Sequence, residues 1–227
     1  MILQILLVSA TDAEADAFRK IHGIIRLPHG IYKLGNYEIS ILVTGVGSVS
    51  TAWAMKQWLT TNSRPDLAIN TGIAGSYRDE IKIGDIVMPI SDCFADMGIE
   101  TSSGYLTLAE AGLGDPDKYP FKGGQIIASN RYTDRIRKYL RPVRAVTVNT
   151  ATGSLASIRR LSDKYNPDIE TMEGATFFYI CAMEEIPFIA IRGISNRVEP
   201  RNKRDWNITL AINNLSLKLK EILLTFE

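Results

Sequence analysis

The sequence predicts an α/β protein built as a three-layer sandwich, with a central β-sheet flanked by helices. Apolar runs of strand length alternate with helical segments along the whole chain. Several strand-like runs are apolar on both faces, which is typical of a sheet covered by helices on both sides. A length of 227 residues fits one large domain, and no composition shift or internal repeat marks a boundary. We therefore expect residues 1–227 to form a single domain.

The first part of the chain holds four strand-like runs and two helical segments. The strands are rich in Ile, Leu and Val and are expected at Ile2–Ser9, Tyr37–Thr44, Asp66–Asn70 and Gly84–Ile90. Helices are expected at Asp12–Ile21 and Val49–Thr61.

The second part contains more helix than strand. Helices are expected at Arg131–Leu140, Leu155–Tyr165, Glu173–Glu185 and Trp206–Leu224. Strands are expected at Val143–Val148 and Phe188–Ile194. Between the two parts, Thr101–Gly124 is rich in Gly and Pro and has little periodicity, which predicts a long functional or mobile loop.

The composition excludes several classes of function. Lys plus Arg number 26 and Asp plus Glu number 25, so there is no electrostatic case for nucleic acid or an anionic membrane as partner. Cys93 and Cys181 lie far apart without a CxxC motif, so neither a metal site nor a disulfide framework is expected. Free thiols fit a cytoplasmic protein. The apolar start, Met1–Val8, is too short for a membrane span and lacks a basic flank.

Two glycine-rich segments follow strands. Thr44–Ser48 and Thr71–Ser76 are expected to be tight strand-to-helix turns, and their backbone N–H groups could line a ligand cleft. The first is not a dinucleotide fingerprint, because Ser50 stands at the third glycine position. Neither continues into Gly-Lys-Ser/Thr, which excludes a P-loop.

The strongest functional signal lies in two later segments. In Glu170–Ala175, the carboxylate of Glu173 follows Met172 at a strand-to-helix turn, a placement that suits binding of ribose hydroxyls. In Arg192–Asn196, Ser195 and Asn196 come just after an apolar strand, a placement that suits reading the edge of a base.

Five segments in order resemble the nucleoside phosphorylase and nucleosidase superfamily: Ser9–Glu14, Thr44–Gly47, Asn70–Gly75, Met172–Gly174 and Arg192–Asn196. Two further segments, Phe94–Gly98 and Ser195–Asn202, are most similar to the branch that hydrolyses futalosine, an inosine carrying a carboxyphenyl ketone at C5′. The resemblance implies a mixed sheet of the nucleoside phosphorylase type. It also implies cleavage of an N-glycosidic bond without cofactor or metal, a nucleoside as partner, and a homo-oligomer.

The resemblance gives roles to individual residues. Glu14 would activate the attacking water, Glu173 would hold the ribose, Met172 would pack on the sugar, and Gly72 and Ile73 would lie at the cleft. The alternative for both carboxylates is an ordinary acid at the start of a helix, stabilised by the helix dipole. Many relatives carry another Glu where Thr171 stands, so the details of sugar and water positioning differ here.

Asn196 predicts the base. Adenine-specific relatives mostly carry Asp at this position, and an ionised carboxylate only accepts hydrogen bonds, whereas an amide both donates and accepts. The amide N–H can meet O6 of a 6-oxopurine while its oxygen accepts from a protonated N7. We therefore expect hypoxanthine to be preferred to adenine.

Water is the expected nucleophile. Related phosphorylases bind phosphate with an Arg just before the Gly-x-x-Gly segment and a Ser within it. Here Asn70 and Ile73 stand at those positions, so phosphate would lack its charge-assisted donors.

A carboxyphenyl group at C5′ calls for apolar walls and a cation. The candidates are Phe94, Trp206, Arg197 and Arg201, although a solvated loop explains the two Arg residues equally well.

Four other functions stay open at this point. They are a methylthioadenosine or adenosylhomocysteine nucleosidase, an inosine phosphorylase, a non-catalytic nucleoside-binding protein of the same fold, and a Rossmann-type dehydrogenase. The first is opposed by Asn196, the second by Asn70 and Ile73, the third by the pair Glu14 and Glu173, and the last by the missing third glycine.

Overall fold

In the part of the chain that the structure describes, eleven strands form one central mixed sheet and two more strands form a hairpin. The structure is a computed structural model that describes residues 2–102, 104–200 and 205–226. The sheet contains β1 (Leu3–Ser9), β2 (Ile25–Arg26), β3 (Ile31–Leu34), β4 (Tyr37–Val43), β5 (Leu67–Ser76), β6 (Ile86–Asp92), β9 (Phe121–Lys122), β10 (Gln125–Ile127), β11 (Arg141–Thr147), β12 (Ile169–Thr171) and β13 (Phe188–Arg197). The hairpin pairs β7 (Gly98–Thr101) with β8 (Gly104–Thr107).

Six α-helices are found in the described residues. They are α1 (Asp12–Arg19), α2 (Ser48–Thr61), α3 (Arg131–Ile136), α4 (Leu155–Tyr165), α5 (Gly174–Met183) and α6 (Ile208–Leu224).

Successive side chains of the central strands face opposite helical layers. Leu7 of β1 and Ile69 of β5 pack with α1, α3 and α6 on one side of the sheet. Leu6 of β1 and Ala68 of β5 pack with α2 and α5 on the other. This alternation follows from the period of two residues in a strand. The predicted sandwich, with a central mixed sheet between helices, is confirmed.

Five strands of the sheet close into a ring. β5 pairs with β12, β12 with β11, β11 with β6, β6 with β13, and β13 again with β5. The β5–β12 and β6–β13 pairs are antiparallel and the other three are parallel. One cluster of buried apolar side chains takes members from all five strands, so it lies inside the ring: Ala74, Ile81, Val87, Val143, Ala145, Ile169 and Ile194.

The predicted helices are all present, and α4 has the predicted bounds. The turn at Thr44–Ser48 is also confirmed, since Gly47 precedes α2 with a positive φ of 92° that favours glycine. The prediction of a second strand-to-helix turn at Thr71–Ser76 is wrong. Those residues continue β5, because β13 pairs with it as far as Ser76 and no helix follows.

The Gly- and Pro-rich segment Thr101–Gly124 contains more regular structure than predicted. β8 lies within it, and β9 joins the main sheet through β10. Among the described residues, none of the helices has the length and apolarity required to cross a bilayer.

Candidate active site

A cavity of about 350 Å³ lies where β1 ends, beside the second half of β5 and near the end of β13. We call it the cleft. Seven predicted site residues line it: Glu14, Ile73, Met172, Glu173, Ser195, Asn196 and Trp206. Twelve other residues line the cleft, among them Thr11, Val46, Gly75, Ala151, Thr152 and Glu170.

Glu14 is both a helix-capping residue and a cleft residue. Its Oε2 accepts hydrogen bonds from Thr11 N–H at 3.0 Å and from the Thr11 hydroxyl at 2.9 Å, which forms a capping box at the start of α1. Its Oε1 accepts from Ile73 N–H of β5 at 2.9 Å. A Cβ at Gly72 would lie 2.6 Å from Oε1, so glycine is needed there to admit the carboxylate. These contacts fix Glu14 in a buried position at the cleft wall.

Glu173 joins the start of α5 to the turn before α2. It occupies the N-cap position of α5, and its Oε1 accepts from Gly47 N–H at 2.8 Å. Burial raises the pKa of Glu173, while the Gly47 hydrogen bond and the charge of Arg192 act in the opposite direction. Glu173 therefore lies half-buried between the N-termini of α2 and α5, with its carboxylate at the cleft.

Ser195 and Asn196 lie at an irregularity in β13. The register against β5 shifts between Ile194 and Asn196, so the strand carries one extra residue there. The Ser195 hydroxyl donates to Asn196 Oδ1 at 2.7 Å, and Asn196 Nδ2 donates to the Arg197 carbonyl at 2.8 Å. An amide has two N–H donors and two acceptor lone pairs, so one of each is left after these bonds.

Arg192 is a buried cation of the site whose role the sequence reasoning missed. It is 2% exposed, and its guanidinium donates to the Asn70 carbonyl at 2.9 Å and to the Asn70 side-chain oxygen. Burial lowers the pKa of Arg192, whereas the charges of Glu173, Glu14 and Asp92 raise it. The signal was present in the sequence, because a charge inside the apolar run of β13 needs buried partners.

Asn70 is fully engaged inside the protein. Besides accepting from Arg192, its Nδ2 donates to the Val8 carbonyl at 3.0 Å. The side chain is 2% exposed and ties β1, β5 and β13 together.

Two predicted residues are not brought to the cleft, and a third lies outside the described residues. Gly72 lies behind the Glu14 carboxylate and acts only by leaving room for it. Phe94 lines a second cavity, which includes Met97, Leu108 and Tyr165, so the structure does not group it with the cleft. Arg201 falls outside the described residues. The other cation suggested for the C5′ group, Arg197, forms an ion pair with Asp79.

No cluster of three or more His, Cys, Asp or Glu side chains suited to a metal ion occurs within the described ranges. Cys93 and Cys181 are buried free thiols.

Comparison with known proteins identifies the family of this chain. A sequence profile of the Phosphorylase superfamily matches residues 4–226. The chain belongs to the phosphorylase superfamily.

Curated members of the superfamily similar to this chain include two kinds of nucleosidase. It is 31% identical over 221 residues to a futalosine hydrolase of Acidothermus cellulolyticus, covering 92% of this chain and 86% of that protein. It is 29% identical over 181 residues to a futalosine hydrolase of Streptomyces coelicolor, covering 78% and 74%. It is 27% identical over 216 residues to a 5′-methylthioadenosine/S-adenosylhomocysteine nucleosidase of Buchnera aphidicola, covering 89% and 84%.

Solved structures show the same fold at lower identity. A Helicobacter pylori MTAN mutant with 5′-methylthioadenosine in its active site superposes with a TM-score of 0.79 at 16% identity, covering 98% of this chain and 99% of that one. Futalosine hydrolase of Helicobacter pylori superposes with a TM-score of 0.75 at 17% identity, covering 98% of each chain. The match to the superfamily and the similarity to curated nucleosidases show that the chain is a nucleosidase, an enzyme that hydrolyses N-glycosidic bonds.

Proposed function

We propose that this nucleosidase hydrolyses futalosine to hypoxanthine and dehypoxanthinyl futalosine, a step of menaquinone biosynthesis in the cytoplasm. The proposal rests on the hydrogen bonding of Asn196. Its amide keeps one N–H donor and one acceptor lone pair free at the cleft. That pair matches O6 and a protonated N7 of hypoxanthine. The futalosine hydrolases among the curated relatives support the same substrate.

Asn196 assists departure of the base. The N-glycosidic bond loosens first, so negative charge develops on the purine while the sugar gains oxocarbenium character. The Asn196 N–H stabilises that charge more strongly in the transition state than in the bound substrate. An amide does not supply a proton as a carboxylic acid would, so protonation of N7 proceeds through water.

Glu173 and Glu14 act on the sugar and the water. Glu173 accepts from Gly47 N–H through Oε1, and the rest of its carboxylate can receive the ribose hydroxyls. Glu14 accepts three hydrogen bonds, which leaves one of about four lone-pair sites for a water near C1′. A carboxylate so held takes the proton as the water attacks.

The nucleophile is water and not phosphate. At the position where phosphorylases carry Arg, Asn70 is bound to Arg192 and to the Val8 carbonyl. Ile73 offers an apolar side chain, and its N–H is taken by Glu14. Arg192 is not among the residues that line the cleft, so a phosphate ion in this part of it would be desolvated without charged donors.

The C5′ substituent of futalosine meets Trp206 at the cleft rim. An indole face suits packing against a carboxyphenyl ring.

A methylthioadenosine or adenosylhomocysteine nucleosidase is the second candidate. It is favoured by the Buchnera aphidicola relative, which matches 89% of this chain. Asn196 opposes it, because the amide N–H that remains free has no acceptor at the six-position of adenine.

The two candidates are separated by measuring kcat/KM for futalosine, inosine and methylthioadenosine with the purified protein. We expect futalosine to be hydrolysed at least roughly a hundredfold more efficiently than methylthioadenosine, because recognition of a polar edge discriminates strongly. Inosine should fall between them, since it has the base but lacks the C5′ group. A higher kcat/KM for methylthioadenosine than for futalosine would overturn the proposal in favour of the second candidate.

A further inference from the structure

We propose that Glu170 is a positioning residue for the purine base, acting by holding the segment Ala151–Thr152 as the wall of the cleft that faces Asn196. This inference rests on the proposed function, since it assigns the far side of the same base site. Glu170 touches no part of the reaction centre formed by Glu14 and Glu173.

The register of the sheet places Glu170 and Asn196 in one row. Glu170 of β12 and Asn196 of β13 are both register partners of Gly75, which lies on β5 between them. Residues in one row of a sheet face the same side, and all three line the cleft. Two strand spacings separate Glu170 from Asn196, roughly 9.6 Å.

Gly75 allows the side chains of Asn196 and Val198 to lie close against β5. A Cβ at this position would come 3.0 Å from Asn196 Nδ2 and 2.9 Å from a Val198 methyl carbon. The row therefore has a polar residue at each end, and glycine between them lets the Asn196 amide approach the middle of the row.

The Glu170 carboxylate is held by three neutral donors. Thr152 N–H donates to Oε1 at 2.9 Å, and the Thr152 hydroxyl donates to Oε2. The Tyr77 hydroxyl also donates to Oε2, at 2.8 Å. Glu170 is 8% exposed. The burial of Tyr77 and the negative charge of Glu170 raise the pKa of Tyr77. A buried carboxylate with matched donors fixes the groups around it, because leaving any of them unpaired is costly.

The held segment is the link between β11 and α4. Its start is fixed separately, since Asp96 accepts from Asn149 N–H at 2.5 Å and from the Asn149 side chain at 3.1 Å. Glu170 fixes its other end at Thr152. Ala151 lies between these two anchors, and Thr152 is the second of them. Both residues line the cleft, so the position of Glu170 sets the width of the cleft that is available to the base.

The test is purine binding by calorimetry together with steady-state kinetics for Glu170→Ala, Glu170→Gln and a matched control. The alanine variant leaves Thr152 N–H and the Tyr77 hydroxyl unpaired, so the Kd for hypoxanthine should rise by roughly tenfold or more. KM should rise in parallel with little change in kcat, because the wall binds substrate and transition state alike. The glutamine variant keeps an acceptor for Thr152 N–H and should recover most of the affinity.

Asp168→Ala is the control for a merely structural effect. Asp168 is another partly buried carboxylate that accepts from Arg144 N–H at 2.8 Å and Arg78 Nε at 3.0 Å, and it does not line the cleft. It should lower thermal stability and leave the hypoxanthine Kd unchanged. Equal weakening by Glu170→Ala and Asp168→Ala, or a Kd of Glu170→Ala within twofold of wild type, would overturn the inference.

Two further outcomes are informative. If Glu170→Ala does not fold, the double variant Tyr77→Phe with Thr152→Val removes two donors and keeps the carboxylate. It should weaken hypoxanthine binding by at least about threefold, and no change would overturn the inference. If the wild type binds no purine at all, the proposed function itself fails, which is a different result from selective loss in the variants.

Discussion

At the scale of the residue, Glu14 combines the two roles that its sequence position left open. It closes a capping box with Thr11 and reaches across to the Ile73 N–H of β5. The capping fixes the carboxylate, and the bond to β5 orients it toward the cleft. A helix-start acid and a catalytic base are therefore the same group.

Glu14→Gln tests this assignment. The amide oxygen can still accept from Ile73 N–H, so the fold and hypoxanthine binding should be retained while the base is lost. We expect kcat to fall about 10²–10⁴-fold, the usual contribution of a general base. Asp16→Asn, on the same helix but paired with Arg19 at 3.0 Å, is the control and should keep wild-type rates. Unchanged turnover in Glu14→Gln would remove Glu14 from the mechanism.

Asn196 sets the preference for the base. A carboxylate at this position would place an oxygen toward O6 of hypoxanthine and could instead accept from the amine of adenine. With Asn196→Asp, the ratio of kcat/KM for inosine over adenosine should fall by at least roughly tenfold, since an unpaired polar contact costs about 1–3 kcal/mol.

Asn196→Ala serves as the comparison for that substitution, because it should weaken both nucleosides without a comparable change in their ratio. A ratio that stays constant in Asn196→Asp would mean that Asn196 does not read the six-position.

At the scale of the element, the sequence predicted the helices and the long strands better than the strands that complete the ring. Periodicity and capping residues predict the bounds of α4 and β1 to within a few positions of those observed. β12, with three residues, is stabilised by pairing with β5 and β11, which are distant in the chain. Local composition contains no signal of such pairing.

Dependence on distant parts of the chain also explains which residues of the site the sequence did not predict. Glu14, Glu173 and Asn196 were predictable because motifs carry them. Arg192 and Glu170 depend on partners from other strands, namely Asn70 and Thr152. The Gly-rich second half of β5 resembles a turn in sequence, but it is part of a strand. Its Gly72 leaves room for the Glu14 carboxylate.

β6 ends at a buried carboxyl group beneath α5. Asp92 Oδ1 accepts from the Thr147 hydroxyl at 3.0 Å and Cys93 N–H at 2.8 Å. Its Oδ2 has no hydrogen-bond partner among the described residues, and a Cβ at Gly174 would lie 2.1 Å from it. Burial raises the pKa of Asp92 from 3.8 to about 7, since the hydrogen bonds and the charge of Arg192 offset only part of the desolvation.

This raised pKa makes stability depend on pH. Between about pH 4 and pH 7 the native state holds a proton on Asp92 that the unfolded chain has released, so stability falls as pH rises through that window. The slope from one such group is at most about 1.4 kcal/mol per pH unit. Asp92→Asn should remove this component, which is measured as the difference between urea unfolding curves of variant and wild type from pH 5 to pH 8.

The control for the pH series is Asp134→Asn, which changes an exposed carboxylate whose side chain is 71% exposed. It should leave the wild-type pH dependence intact. Parallel curves for Asp92→Asn and wild type would show that Asp92 ionises normally.

At the scale of the whole molecule, the cleft opens beside an exposed apolar surface. Val49 is 83% exposed and Trp53 is 71% exposed, and both lie one turn apart on α2. Val46, just before the helix, is 53% exposed and also lines the cleft. Large exposed apolar groups in one place are uncommon on monomers, which supports the expected homo-oligomer with a second subunit at this rim.

Trp53→Lys tests the oligomer. Light scattering coupled to gel filtration should give a mass of at least two chains for the wild type and one chain for the variant, because a buried Lys in the interface is costly. Leu217→Lys, at a residue of α6 that is 73% exposed, should keep the wild-type mass. A monomeric wild type would contradict the assignment of this surface.

Product analysis distinguishes hydrolysis of futalosine by water in the cleft from phosphorolysis. Futalosine is incubated with the purified protein with and without phosphate, and the sugar product is identified by mass spectrometry. We expect free hypoxanthine and the free reducing sugar, dehypoxanthinyl futalosine, at the same rate in both buffers. Formation of a sugar 1-phosphate, or absence of cleavage of futalosine by a folded protein that cleaves methylthioadenosine, would contradict the account.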